Sequence, residues 1–223
     1  MNGTRTYGDP CGIARALDLV GERWALLVVR ELLLGPKRFT DLRAGLPGAS
    51  PNVLSQRLRE LEQTGVVRRR KLPPPASIWV YELTDWGLAL DPVVLALGRW
   101  GSRSPSIAAA ELSVDALILA LKTTFDPDAA GGLRATYELR LGEERFRAEV
   151  ADGRLDLARG SADQPDATIE TDRATLRSLV FGNRDLAEAL RSGNLTLEGD
   201  RQAVTRFLRL FPRPAPAPIP VHE

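Results

Sequence analysis

Two helix signatures joined by a tight turn constrain this chain more than any other feature. Thr40 is placed to cap a short helix, with Asp41 in its first turn. Gly45-Leu46-Pro47-Gly48-Ala49 then breaks that helix. Ser50 offers a hydroxyl cap for the next one, and Pro51 takes the first helical position, where its missing N–H costs nothing. The pattern predicts a helix from Pro51 to about Gln63, ended by Gly65. With Leu54 as the zero of a wheel at ~100° per residue, Leu58 and Leu61 fall within ~40° of it and make a core stripe. Asn52, Gln56, Arg59 and Gln63 fall between ~140° and ~200°, with Ser55 on their flank. This is a helix-turn-helix pattern, in which the second helix enters the DNA major groove. Amides there read adenine and Arg reads guanine. A solvated helix face that reads nothing would carry the same residue types.

The next segment favours the nucleic-acid reading. Val66–Leu72 and Ile78–Leu83 read as strands, separated by Pro73-Pro74-Pro75-Ala76-Ser77, which is too proline-rich for a ladder. The first strand carries four consecutive cations, Arg68, Arg69, Arg70 and Lys71. Alternate side chains share a face, so Arg69 with Lys71, or Arg68 with Arg70, would meet phosphates together. A hairpin after a helix-turn-helix is a wing. A solvated edge that discourages aggregation is the plainer account of such a charge run.

Charge is asymmetric along the chain. The 223 residues hold 30 Lys+Arg and 29 Asp+Glu, a net charge of +1. Split at Pro105, the first part has 15 cations and 10 anions, the second 15 and 19. A basic part followed by an acidic part indicates two domains with different partners. The turn-rich Gly101-Ser102-Arg103-Ser104-Pro105-Ser106 is the expected boundary. The expected division is 1–103 for the winged helix-turn-helix domain, 104–111 for a linker, 112–211 for a second domain and 212–223 for a Pro-rich mobile tail. No apolar run of ~18 residues is present to span a membrane. The start shows no signal-peptide pattern, and a cytoplasmic protein is expected. One cysteine, Cys11, and one histidine, His222, leave no material for a disulfide framework, a Ser-His-Asp triad or a Cys/His metal site. No Walker or Rossmann glycine pattern appears. The carboxylates scatter over turns and exposed strand faces. No catalytic residue, cofactor or metal is expected, and the chain does not read as an enzyme.

Residues 13–20 follow a helical pattern through Ile13, Leu17 and Val20. Arg23–Leu34 is apolar nearly all round, as a core helix would be, and Gly35-Pro36 stops it. Thr84 caps a further helix, and Val93, Val94, Leu97 and Trp100 continue at helical spacing. This second apolar stripe suggests a subunit contact, with packing on a neighbouring domain as the competing reading.

At this point the residues resemble a known family. The runs from Cys11-Gly12-Ile13 through Glu22-Arg23-Trp24, Arg30-Glu31-Leu32 through Thr40-Asp41-Leu42, Leu54-Ser55-Gln56-Arg57-Leu58-Arg59-Glu60-Leu61, Gly65-Val66-Val67-Arg68-Arg69, Tyr81-Glu82-Leu83-Thr84 and Leu97-Gly98-Arg99-Trp100-Gly101 resemble the HxlR-type winged-helix regulators. The resemblance covers 11–101 nearly end to end. It implies a homodimeric, DNA-binding bacterial transcription regulator. It also implies dimerisation through the N-terminal helix and the helix ending at Trp100, with Ile13, Leu17, Val93, Val94, Leu97 and Trp100 as interface candidates. Some members sense oxidants through a cysteine at the position of Cys11, usually followed by proline; here Gly12 follows. Cys11 is a redox candidate that could pair only with another chain or a small thiol. An inert small side chain is the alternative.

The second part reads as an α+β layer, an antiparallel sheet with helices on one face. Leu133, Ala135, Tyr137, Leu139 and Leu141 alternate with polar residues, as in a half-buried strand. Phe146, Ala148 and Val150 continue in a second strand, and Asp152-Gly153 turns into a third with Leu155 and Leu157. Ala167–Glu170 is a short strand, Asp172 and Asp185 cap helices, Leu195 and Leu197 mark a last strand, and a final helix covers 201–210. The run Pro165–Glu170, then Phe181-Gly182, then Ala189 to Asp200 resembles the sterol-carrier-protein-like fold over about 112–211. That resemblance implies an apolar tunnel for a lipid-like ligand, with Tyr137, Phe146, Leu179, Phe181 and Phe207 as lining candidates. Core filling is the alternative for each.

The expected function is therefore a dimeric regulator bound to double-stranded operator DNA and modulated by a lipid-like small molecule. The expected DNA contacts are Thr40, Ser50, Asn52, Ser55, Gln56, Arg57, Arg59 and Arg68–Lys71. In this reading Asn52, Ser55, Gln56 and Arg59 read bases, while Arg57 and the wing cations hold phosphates. The alternative is a lipid carrier or sensor whose winged helix serves only dimerisation or partner binding.

Overall fold

The computed structural model describes residues 6–104 and 111–218. Most of the expected linker, the Pro105-Ser106 end of the expected boundary, and the tail from Ile219 through Glu223 lie outside the described residues. The chain divides into two compact units, Met1–Val94 and Leu95–Glu223. No helix among the described residues is long and apolar enough to cross a membrane.

In the first unit the order is α1 (Gly12–Val20), α2 (Ala25–Leu32), α3 (Phe39–Gly45), α4 (Pro51–Gln63), β1 (Val67–Lys71), β2 (Trp79–Leu83) and α5 (Asp85–Leu88). Helix α6 (Asp91–Gly101) begins in this unit and ends in the second. Val28, Val29 and Leu32 of α2, Leu42 of α3, Leu54, Leu58 and Leu61 of α4, and Val67 and Leu83 of the hairpin form one buried cluster. The three leucines of α4 recur at helical spacing, and that periodicity fixes which face of α4 turns inward.

Two contacts set the helix-turn-helix. Trp24, just ahead of α2, adopts φ 77°. Its ring lies against Gly48, where a Cβ would come within 2.8 Å of it. Glu31 of α2 is fully buried and forms ion pairs with Arg30 at 2.8 Å and Lys37 at 2.9 Å. A side chain at Gly45 would collide with the Glu31 carboxylate. One buried acid therefore ties α2 to both ends of α3. The Lys37 backbone also pairs with Tyr81, N–H to carbonyl in both directions at 2.9 and 2.8 Å, which anchors the hairpin.

Helix α3 starts two residues earlier than expected, at Phe39 with Arg38 in the cap position. Thr40 lies inside it, not at its cap, and the Asp41 carboxylate accepts the Arg38 N–H at 3.1 Å. A carboxylate at the third helical position satisfies that orphan donor, so no hydroxyl cap is needed.

The second unit runs α7 (Val114–Thr124), α8 (Pro127–Ala130), β3 (Ala135–Leu141), β4 (Glu144–Ala151), β5 (Arg154–Arg159), β6 (Ala167–Thr171), α9 (Arg173–Val180), α10 (Leu186–Arg191), β7 (Leu195–Gly199) and α11 (Arg201–Leu208). The sheet order is β5-β4-β3-β6-β7. It is mixed, because β6 pairs with β3 in parallel while the other pairs are antiparallel. This corrects the expected antiparallel sheet. The β4–β5 hairpins fill one edge of β3, so the chain crosses over between β5 and β6 and returns along the other edge in the direction of β3.

Tyr137, Leu139, Phe146, Ala148, Val150 and Ile169 are buried on the apolar face. The opposite face carries ion pairs, including Arg140 to Glu138 at 2.7 Å and Arg147 to Asp156 at 3.1 Å. After α11, residues 212–218 run without helix or strand, but as a tethered strap. Ala217 N–H donates to the Arg103 carbonyl at 2.8 Å, and Arg103 Nε donates to the Ala215 carbonyl at 3.2 Å. A proline-rich segment cannot join a ladder, yet it keeps the few amides and carbonyls that make these bonds.

Candidate nucleic-acid interface

Helix α4 opens where the sequence places it. Ser50 Oγ accepts the Val53 N–H at 3.4 Å and Pro51 is the first helical residue. Leu54, Leu58 and Leu61 are buried, while Asn52, Gln56, Arg59 and Gln63 are exposed and Ser55 is half-buried. Thr40 and Ser50 are exposed as well. The outward face thus offers two carboxamides near its start and a guanidinium one turn on. Gln56 Nε2 donates to Glu60 Oε1 at 3.0 Å, a bond that does not use its carbonyl oxygen, an acceptor.

Arg57 departs from expectation. Its side chain is buried, with the residue only 8% exposed, and it ion-pairs with Glu60 and, at 3.7 Å, with Glu22. A guanidinium held by two carboxylates beside the core stripe braces α4 against the start of α2. It is not placed to hold a phosphate.

The wing sorts its four cations into two pairs. Arg68 Nε and Arg70 Nε each lie 2.7 Å from the Glu82 carboxylate, one on each oxygen. Burial pushes the Glu82 carboxyl up, but the hydrogen bonds from Arg70 and Arg68 outweigh it and hold the group below the ordinary carboxylate value. Part of the positive charge of Arg68 and Arg70 is therefore neutralised within the hairpin. The other two are paired in register with aromatic residues, Arg69 with Tyr81 and Lys71 with Trp79. The Arg69 guanidinium lies 4.7 Å from the Trp79 ring centroid and 5.9 Å from that of Tyr81. Stacking restricts the guanidinium while leaving its in-plane donors open.

Of the six interface candidates, Ile13, Leu17, Val93, Leu97 and Trp100 are exposed, and Trp100 reaches 76%. Helix α6 has no buried residue at all. Val94 differs, being half-buried and packed on the core of the first unit. Cys11 is exposed just ahead of α1, and hydrogen bonds from the backbone of Ile13 and Ala14 lower its thiol pKa.

In the second unit the five ligand candidates separate. Tyr137, Phe146 and Phe207 are fully buried, and Leu179 is nearly so. The Tyr137 and Phe207 rings pack at 4.6 Å with their planes tilted by 45°, and Phe207 meets Phe211 edge-on at 5.0 Å. These side chains fill the core. Only Phe181 of the five lines the cavity of this unit, which lies among α7, α9 and the strap and measures about 970 Å³. Sequence reasoning missed α7, although Ser113 capping the Ala116 N–H at 3.1 Å and the leucines at 117 and 121 were signals for it.

Comparison with known proteins relates the two parts of the chain to different families. Residues 19–107 match the HxlR-like helix-turn-helix model, and residues 103–217 match the alkyl sulfatase C-terminal model. The sterol-carrier-like resemblance of the second half is carried by neither match. The first half is 42% identical over 88 residues to the uncharacterized HTH-type transcriptional regulator YvaP of Bacillus subtilis, covering 40% of this chain and 82% of the relative. It is 38% identical over 88 residues to the HTH-type transcriptional regulator YodB of the same bacterium, covering 40% of this chain and 79% of that one. Among solved structures, the inverting sec-alkylsulfatase Pisa1 from a Pseudomonas species matches at 24% identity and a TM-score of 0.43, over 45% of this chain and 16% of the enzyme.

Proposed function

The chain belongs to the HxlR-like helix-turn-helix family and carries an alkyl sulfatase C-terminal domain behind that module, and from this premise we propose that it is a dimeric transcription regulator controlled through its second domain. The observation that carries the reading is the outward face of α4, where Asn52, Gln56 and Arg59 stand exposed above a buried leucine stripe. These side chains, with Ser55 beside them, read base edges in the major groove. Thr40 and Ser50 sit at helix starts, where hydroxyls and free amides suit the phosphate backbone. Arg69 and Lys71 hold phosphates from the wing, and Arg68 and Arg70 add to the field in part only, through their shared carboxylate.

Exposed Ile13, Leu17, Val93, Leu97 and Trp100 are the surfaces that a second copy would cover. A two-fold dimer requires half-sites one helical turn, ~10 bp, or a multiple apart. The reading is non-enzymatic, since the relatives over the first half are named as regulators, and it places the protein in the cytoplasm with its operator. Ligand in the second domain would shift the equilibrium between DNA-competent and incompetent dimers, which demands different ligand affinity in the two.

Fluorescence anisotropy against DNA from upstream of the protein's own gene tests the proposal. Saturable binding that resists shuffled competitor DNA supports it. A flat titration would favour the second reading, a ligand-binding protein whose winged helix serves only assembly, which the large cavity of the second unit makes worth separating.

A further inference from the structure

The wing holds its arginines in two different ways. From Val66 to Leu83 the hairpin contains one carboxylate, that of Glu82. Arg68 and Arg70 each place Nε 2.7 Å from it, one on each oxygen. Strand alternation puts Arg69 on the other face. There its guanidinium lies 4.7 Å from the Trp79 ring centroid and 5.9 Å from that of Tyr81. Among the described residues no carboxylate lies within ion-pair distance of Arg69. Trp79 stands diagonally across the ladder from Arg69, one same-face position beyond Tyr81. Tyr81 is itself fixed by its two backbone hydrogen bonds with Lys37, at 2.9 and 2.8 Å. The strand that carries the indole is therefore anchored two residues away, while the indole remains 52% exposed.

We propose that Trp79 is the positioning residue of the wing, its indole holding the Arg69 guanidinium in the orientation that meets the DNA backbone. The two ways of holding an arginine differ in what they leave for a ligand. A carboxylate orders a guanidinium and offsets its charge. A ring face orders it and leaves the full charge, with the in-plane N–H donors open. An unsupported arginine loses rotamer freedom when it grips a phosphate; one already laid on a ring has lost part of it beforehand. Trp79 adds no charge of its own. Without the indole, Arg69 keeps its charge and its reach but not its orientation. Loss of Trp79 should therefore weaken DNA binding without changing the number of counterions released. This inference rests on the reading of the first unit as a DNA-binding module.

Salt-dependent anisotropy of the full chain on upstream DNA and on a shuffled duplex tests the role, with Trp79→Leu and Trp79→Phe made in the parent and in Arg69→Ala. Leucine keeps an apolar side chain without a ring face; phenylalanine keeps a smaller ring. Trp79→Leu should weaken binding to both duplexes by a similar factor, about two- to fivefold. The slope of log K against log salt should stay at the parent value. Trp79→Phe should recover most of the loss. In the Arg69→Ala chain Trp79→Leu should have no further effect, because the indole acts through that guanidinium. Trp79→Thr, which suits a strand and has no ring, gives a second path through the same cycle if the leucine variant loses its native circular dichroism. A loss of equal size with and without Arg69 would show the indole acting on DNA by itself and would overturn the proposal. So would a ringless variant that binds as the parent does, one whose slope falls as in Arg69→Ala, or a phenylalanine variant no better than leucine. A parent that binds neither duplex overturns the DNA-binding reading and this role with it; a parent that binds, without coupling between Trp79 and Arg69, overturns this role alone.

Discussion

The guanidinium of Arg69 stacks on the indole of Trp79 across the wing, 4.7 Å from the ring centroid, while its neighbours Arg68 and Arg70 share the carboxylate of Glu82. The wing therefore presents Arg69 on an aromatic support and one pair of cations tied to an acid. Arg69→Ala should weaken specific and random DNA alike and reduce the slope of log K against log salt by about 0.9. Glu82→Gln should do the reverse, releasing Arg68 and Arg70 and steepening the slope. Salt-dependent anisotropy reads both. An unchanged slope in Arg69→Ala would take the wing out of the phosphate contacts.

Acid should unfold the protein through its paired carboxylates. For Glu138, burial pushes the carboxyl up, but the Arg140 hydrogen bond and the Ala162 N–H outweigh it and hold the pKa below the ordinary value. Glu82 behaves alike under Arg70 and Arg68. A depressed folded-state pKa means that the unfolded chain binds more protons, so this stabilisation is complete above the ordinary Glu range, ~4.3, and is lost as pH falls through the folded value. Urea midpoints should hold from neutrality to about pH 5 and fall below about pH 4. Glu138→Gln should flatten that acid limb. A variant with the same acid limb as the parent would show that the Glu138 pair contributes nothing to it.

Trp100, at 76% exposure, and Leu97 project from a helix with no buried residue. Trp100→Asp and Leu97→Asp should each convert a dimer to a folded monomer in analytical ultracentrifugation, with thermal unfolding of the protomer little changed. Intact dimers in both variants would move the interface elsewhere.

Cys11 carries a lowered thiol pKa through the amides of Ile13 and Ala14, in full contact with solvent. Its alkylation by iodoacetamide should reach half-maximal rate below the ordinary thiol value of ~8.5. Mild oxidation should reduce operator binding, and Cys11→Ser should abolish that loss. A half-maximal rate at or above the ordinary value, or oxidation without effect on the parent, would leave Cys11 as an inert side chain.

The sequence made α4 legible because a helix buries one face and the leucine spacing names it. Leu54, Leu58 and Leu61 are inside and Asn52, Gln56, Arg59 and Gln63 outside, as the wheel requires. Arg57 was misread by its charge. On the same wheel it stands only ~60° from Leu54, close enough to the core stripe to be buried once Glu60 and Glu22 neutralise it. The parallel β3–β6 pair was illegible for a different reason. Alternation tells which residues share a face, but carries no information on which strand lies alongside or in what direction. The ligand residues failed through chemistry, not period. An aromatic side chain looks the same in sequence whether it fills a core, as Tyr137 and Phe207 do, or walls a cavity, as Phe181 does. The residues that line that cavity come from segments far apart in sequence, α7, α9 and the strap, and only folding brings them together.

The central claim is that the outward face of α4 reads sequence, and Gln56 tests it most directly. The affinities of parent and Gln56→Ala would be compared on upstream DNA and on a shuffled duplex of equal length, at one salt concentration. The account predicts a loss of about 1–3 kcal/mol on upstream DNA and none on the shuffled duplex. Equal losses on both, or no loss on either, would contradict it.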